Sequence, residues 1–114
     1  MKTGLAQIRV IPGRPDKNIL RMKECVAEAR ENQCDLVAFP EMCIGGYLLG
    51  DRWLDESFCR DLQAYNEEIR NLSDGIAILY GNVWCDDAKT NKDGRVRKFN
   101  AAYTWQNKKP LHRT

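Results

Sequence analysis

The strongest chemical signal in the sequence is a glutamate set in an apolar stretch that ends in two glycines and a tyrosine, Phe39-Pro40-Glu41-Met42-Cys43-Ile44-Gly45-Gly46-Tyr47. Pro40 closes a short apolar run, so Glu41 is expected at the carboxyl end of a parallel strand, the edge where open α/β sheets build their sites. A carboxylate among Phe39, Met42, Ile44 and Tyr47 is expected to be partly desolvated, which suits a group that exchanges protons. The alternative is a solvent-facing loop glutamate, and residue types alone leave both readings open.

The other reactive residue types make weaker patterns. Cys25, Cys34, Cys43, Cys59 and Cys85 are odd in number, form no CxxC pair and lie far in sequence from the single histidine, His112, so neither a zinc site nor a disulfide framework is expected. Cys43, two residues from Glu41, reads as a small buried thiol. Lys108 and Lys109 fall in a polar turn and read as solvated charge, and His112 has no Ser or Cys motif beside it. Gly45, Gly46 and Gly50 lack the spacing and the following Lys-Ser/Thr of a phosphate loop. The aromatic residues Tyr80, Trp84, Tyr103 and Trp105 come from separate strands and read as core or interface.

These residues need elements to hold them. Ala6, Ile8 and Val10 alternate with other residues over Thr3 to Ile11, which predicts a strand stopped by Pro12-Gly13 and Pro15. Asp16 is expected to cap a helix reaching about Gln33, with Ile19, Met22, Val26 and Ala29 on its apolar face. Asp35 to Phe39 reads as a strand covered on both faces. A second helix is predicted from Leu54 to Leu72, ended by Ser73-Asp74-Gly75. Ile76 to Val83 reads as a further strand, Asp86 to Gly94 as a solvated loop, and Phe99 to Trp105 with Pro110 to Thr114 as a hairpin turning at Gln106 to Lys109. The resulting α/β order is β-α-β-α-β-β, with room for one core in 114 residues.

Both crossover helices are expected on one face of the sheet, leaving Val37, Phe39, Ile78 and Tyr80 toward an opposite face that other chain or a partner subunit would cover. Lys plus Arg number 18 against 16 Asp plus Glu, and this near balance argues against nucleic acid or an anionic membrane as partner. Gln7 and Arg9 fall where a signal peptide would be apolar, so a cytoplasmic location is expected.

FPEMCIGGY resembles the glutamate motif of the nitrilase superfamily of carbon–nitrogen hydrolases. GLAQIRVIPGRPDKNI resembles that superfamily's first strand and helix start, and FNAAYTWQNKKPLHRT resembles the strand pair before its catalytic lysine. Within the superfamily, GGYLLGDRW is most similar to the glutaminase domains of glutamine-dependent NAD synthetases. The resemblance implies that residues 1–114 are the N-terminal part of a carbon–nitrogen hydrolase domain, half of an α-β-β-α sandwich. It also implies a Glu-Lys-Cys mechanism in which Glu41 is the catalytic glutamate and Tyr47 lines the substrate pocket. The lysine would come one or two residues after Thr114 and the cysteine several tens later, so the 114 residues alone are expected to be inactive. The implied substrate is a small amide, glutamine, and the implied partners are the rest of a parent chain and further copies of it. No metal or cofactor is implied here; ATP and magnesium would belong to a downstream ligase domain. Another amidase of the superfamily, or a non-catalytic α/β interaction module, are the alternatives.

Overall fold

Three parallel strands and an antiparallel meander share one sheet. The computed structural model describes residues 1–46, 55–90 and 96–113. Strands β1 (Thr3–Leu5), β2 (Leu36–Ala38), β3 (Ala77–Thr90), β4 (Val96–Gln106) and β5 (Lys109–Arg113) lie in the order β1-β2-β3-β4-β5. β1, β2 and β3 run parallel, while β3, β4 and β5 alternate. Helix α1 (Pro15–Glu31) connects β1 to β2, and α2 (Glu56–Ala64) with α3 (Asn66–Asn71) precedes β3. The α/β class stands; with the second helix split in two and the two hairpin strands counted separately, the order is β-α-β-α-α-β-β-β.

Each difference has a local cause. β1 stops at Leu5, although Ala6 N–H still donates to Ala38 O at 2.9 Å, because its neighbour β2 runs into Pro40, which has no N–H to offer a ladder. Ala6, Ile8 and Val10 nevertheless pack on the core. Asp16 does not cap α1: Arg14 holds the cap position, Pro15 begins the helix, and Asp16 pairs with Arg14 at 3.0 Å, which lowers the carboxyl's pKa.

The second helix breaks at Tyr65 because Leu62 O, which a continuous helix would offer to Asn66 N–H, takes a hydrogen bond from the Asn82 side chain at 2.8 Å. Tyr65 and Glu68 N–H instead close tighter turns on Leu62 O and Tyr65 O. Leu54 lies outside the described residues; Asp55 caps α2 by accepting from Phe58 N–H. The expected loop from Asp86 begins as strand: β3 runs to Thr90, pairing Asp86 with Arg97 and Thr90 with Val96 across an irregularity, and the rest of that loop, Asn91 to Gly94, lies outside the described residues. The hairpin turn falls where the sequence puts it. Asn107 (φ 52°) and Lys108 (φ 63°) are both left-handed, as a two-residue turn between right-twisted strands requires.

The helices do share one face of the sheet. Lys23 Nζ lies 3.4 Å from Glu68, the Arg30 guanidinium donates to the carbonyls of Leu72 and Asp74, and one cluster joins Ile19, Met22 and Val26 with Leu62 and Ile69. The residues expected on the opposite face are corrected, however. Val37, Phe39, Ile78 and Tyr80 are all buried, in one cluster with the helix residues Ile19, Met22, Val26, Leu62 and Ile69. The opposite face carries Leu36, Ala38 and Leu79, half-buried, together with exposed Ala102, while Leu5 on the edge strand is 78% exposed. Among the described residues no helix is long and apolar enough to cross a membrane.

A polar network pins the α2–α3 break to the sheet. Tyr80 O–H donates to Asn66 Oδ1 (2.7 Å), Trp105 Nε1–H donates to the Tyr80 hydroxyl (2.8 Å), and Asn82 Nδ2 donates to the same Asn66 oxygen (2.9 Å). Tyr80→Phe should therefore cost about 1–3 kcal/mol, since it leaves a half-buried indole N–H and a buried amide oxygen each short of a partner. Urea unfolding of the two forms measures it.

Candidate functional site

The turn after β2 is built by three backbone contacts. Phe39 N–H extends the ladder to Leu79 O at 2.8 Å, after which Met42, in the left-handed region at φ 49°, turns the chain so that Met42, Cys43 and Ile44 enter the core. Gly46 (φ 80°) closes the turn by donating to Met42 O, and a Cβ there would meet Pro12 Cα at 3.0 Å. Cys43 N–H donates to Gly81 O (3.2 Å), in the stretch of β3 that lies beyond the end of β2.

Gly81 matters most. A Cβ there would stand 2.6 Å from Met42 N and 2.9 Å from Glu41 Cα, so only glycine lets β3 press against the glutamate's backbone. On the far side, Asn18 of α1 locks the turn to the preceding loop: its oxygen accepts from Ile11 N–H (2.8 Å), and its amide donates to Ile11 O (2.9 Å) and Ile44 O (2.7 Å). Asn18 is 2% exposed and has no apolar substitute for these bonds.

Glu41 itself points outward. The expected apolar enclosure is corrected: Met42 and Ile44 face the core, and the Glu41 side chain is exposed beside two clefts. One, of about 360 Å³, is lined by Phe39, Glu41, the β3 stretch Leu79 to Gly81 and the β4 stretch Asn100 to Ala102. Across it, Asn100 Nδ2 donates to Glu41 Oε1. Tyr47, expected to line the pocket, and Gly50 lie outside the described residues.

The alternative reactive groups are elsewhere or silent. Cys43 Sγ is fully buried, 3.6 Å from Met22 Sδ, and burial pushes its pKa up to about 12. Cys59 is pushed up to about 11 by the same cause. None of the five cysteines is in a disulfide. Lys108 sits in the hairpin turn, roughly 20 Å of strand from Asn100, where its N–H donates to Ser73 Oγ and its carbonyl accepts from Arg70. Among the described residues no three His, Cys, Asp or Glu side chains gather to hold a metal ion. Gly45 packs against α2, where a Cβ would meet the Leu62 side chain at 2.7 Å.

The sequence singles out Glu41 but not Gly81, Asn18 or Asn100, which the structure places around it. Each left a trace: a glycine inside an apolar strand, an asparagine beside Ile19 on an apolar helix face, and an asparagine in mid-strand where that residue type is disfavoured.

A mixed sheet with both helices on one face, and a Pro-Glu turn at the carboxyl end of its second parallel strand, is half of a sandwich with its candidate site at the edge. The family model for carbon-nitrogen hydrolases matches residues 2–112, and the chain belongs to that family. It is 30% identical, over an alignment of 105 positions that covers 84% of this chain, to the glutamine-dependent NAD(+) synthetase of Thermotoga maritima, of which it spans only 18%. Its fold matches the glutamine-dependent NAD(+) synthetase of Cytophaga hutchinsonii with a TM-score of 0.84 at 19% identity, covering 97% of this chain and 18% of that one. It matches an amidase from Nesterenkonia sp. with a TM-score of 0.81 at 20% identity, covering 99% of this chain and 41% of that one. These likenesses carry the nitrilase fold to this chain.

Two outcomes follow from the packing. Gly81→Ala should lower stability by about 1–3 kcal/mol, because backbone must move, whereas Gly45→Ala should cost less, because the Leu62 side chain can rotate away; chemical denaturation of both variants sets the order. In the folded protein at pH 8, a thiol reagent should modify half-buried Cys34 and leave Cys43 untouched until the chain unfolds. Peptide mapping of the labelled protein reads the sites.

Proposed function

We propose that this chain is the N-terminal part of a glutamine-hydrolysing domain, that Glu41 is its general base, and that the ammonia released feeds an NAD-forming ligase domain in a longer parent. The β4–β5 register carries the reading. Tyr103 lies opposite Arg113 and Thr104 opposite His112, so a strand continuing past Thr114 runs back toward Ala101 and Asn100. The lysine implied one or two residues on would then stand beside Asn100, and Asn100 touches Glu41.

The chemistry needs all three groups. Glu41 takes the proton of a cysteine thiol as the sulfur attacks the amide carbon, and the lysine cation stabilises the tetrahedral oxyanion. The protonated glutamate then gives its proton to the departing ammonia, and water, activated by the same carboxylate, cleaves the thioester. Lysine and cysteine come from chain beyond these residues. That chain, folded as a second sheet, also covers the face that bears Leu36, Ala38 and Leu79. ATP and magnesium belong to the ligase domain, Tyr47 lines the amide pocket, and the parent works as a homo-oligomer in the cytoplasm.

Likeness to the Nesterenkonia amidase supports a second reading, hydrolysis of a simple aliphatic amide by a protein without a ligase domain. Ammonia release from glutamine and from an aliphatic amide separates the two. The 114 residues alone should release none. A chain extended through the lysine and cysteine should turn over glutamine, and Glu41→Gln in that chain should lower the rate by about 10² to 10⁴, because the amide keeps the shape but cannot accept the proton. Turnover by the short chain, or full activity of the variant, overturns the assignment of Glu41.

A further inference from the structure

β4 alternates strictly: Ala101 and Tyr103 are buried toward the helices, and Asn100 and Ala102 are exposed on the helix-free face. Glu41 reaches that face from the end of β2, with β3 in between. On β3 the residues paired with these two are Val83, opposite Asn100, and, opposite Ala102, Gly81. Having no side chain, it leaves the line from β2 to β4 open. One glycine therefore both admits the Glu41 backbone and clears the path along which the Asn100 amide meets the Glu41 carboxylate.

We infer that Asn100 is a positioning residue for the Glu41 carboxylate, an inference that rests on the reading of Glu41 as the general base. The contact is a hydrogen bond from a neutral donor to a charged acceptor, stronger than one between neutral groups and directional enough to fix the carboxylate's rotation. An arginine or lysine in this place would hold the carboxylate harder but would also stabilise its charged form and blunt it as a base. An asparagine orients it without a full positive charge. Glu41 is exposed on a long side chain at the start of a turn, so orientation is what the backbone alone does not supply.

The test uses the full-length protein. Asn100→Ala should lower kcat for glutamine hydrolysis about 10- to 100-fold, the scale set by misplacing a reacting group, with KM changed less than about threefold and the melting temperature little altered. Asn100→Ser, which keeps a hydroxyl donor, should recover part of the loss, and Asn100→Asp, which sets carboxylate against carboxylate, should recover none. Independently of activity, the Asn100 side-chain amide resonances, identified by their disappearance in Asn100→Ala, should move when Glu41 is changed to Gln. If Glu41→Gln abolishes turnover while Asn100→Ala stays within twofold of the parent, or if the amide resonances do not move, the inference fails and the base assignment survives. If Glu41→Gln remains active, the base assignment fails and the inference falls with it.

Discussion

Everything at the candidate site depends on how closely two backbones approach each other. Where β2 ends, the chain of Glu41 and Met42 lies against β3 at a distance that leaves no room for even a methyl group on Gly81. From that contact follow the bond from Cys43 N–H to Gly81 O, the inward turn of Met42 and Ile44, and the outward aim of Glu41. Core packing and site geometry are thus set by one contact. The apolar residues around the glutamate are not its shell; they are the anchor that lets it face out.

Buried asparagines then take up the strain of joining elements that regular secondary structure cannot join. Asn18 satisfies three backbone groups in two loops, and Asn82 with Asn66 satisfies the break between α2 and α3. No buried side-chain nitrogen or oxygen among the described residues is left without a partner. Such saturation is costly to disturb, because removing either member of a buried pair leaves the other desolvated. The scaffold under Glu41 is therefore stiff on the side that faces the helices.

Much of this was legible in the sequence. The bounds of α1, the position of the hairpin turn and the place of Glu41 at a strand's carboxyl end come from periodicity and from Pro and Gly punctuation, and the shared face of the helices comes from the right hand of the crossovers. What was hidden is tertiary. The break at Tyr65 arises because a side chain from β3 competes for a helix carbonyl, and no window around residue 65 contains Asn82. The length of β3 beyond Asp86 comes from a partner strand, not from the polar residues that read as a loop. Periodicity showed that the central strands were apolar but not which residues faced which way, because a fully apolar run has no alternation to read. The surroundings of Glu41 were misjudged for a related reason: composition counts neighbours along the chain, and Met42 turns those neighbours away.

The mixed direction of the sheet has a kinetic consequence. β3, β4 and β5 are sequence neighbours, the last two joined by a two-residue turn, so their pairing closes short loops and is fast. β1 and β2 must each wait for a helical crossover before they can pair, which costs more chain entropy at every step. The meander is therefore the template, and the segment bearing Glu41 is a late arrival that docks on a β3 surface already formed. Asn100 and Gly81 are in place before the carboxylate reaches them, so the receiving half of the site is made first and the acid is fitted to it.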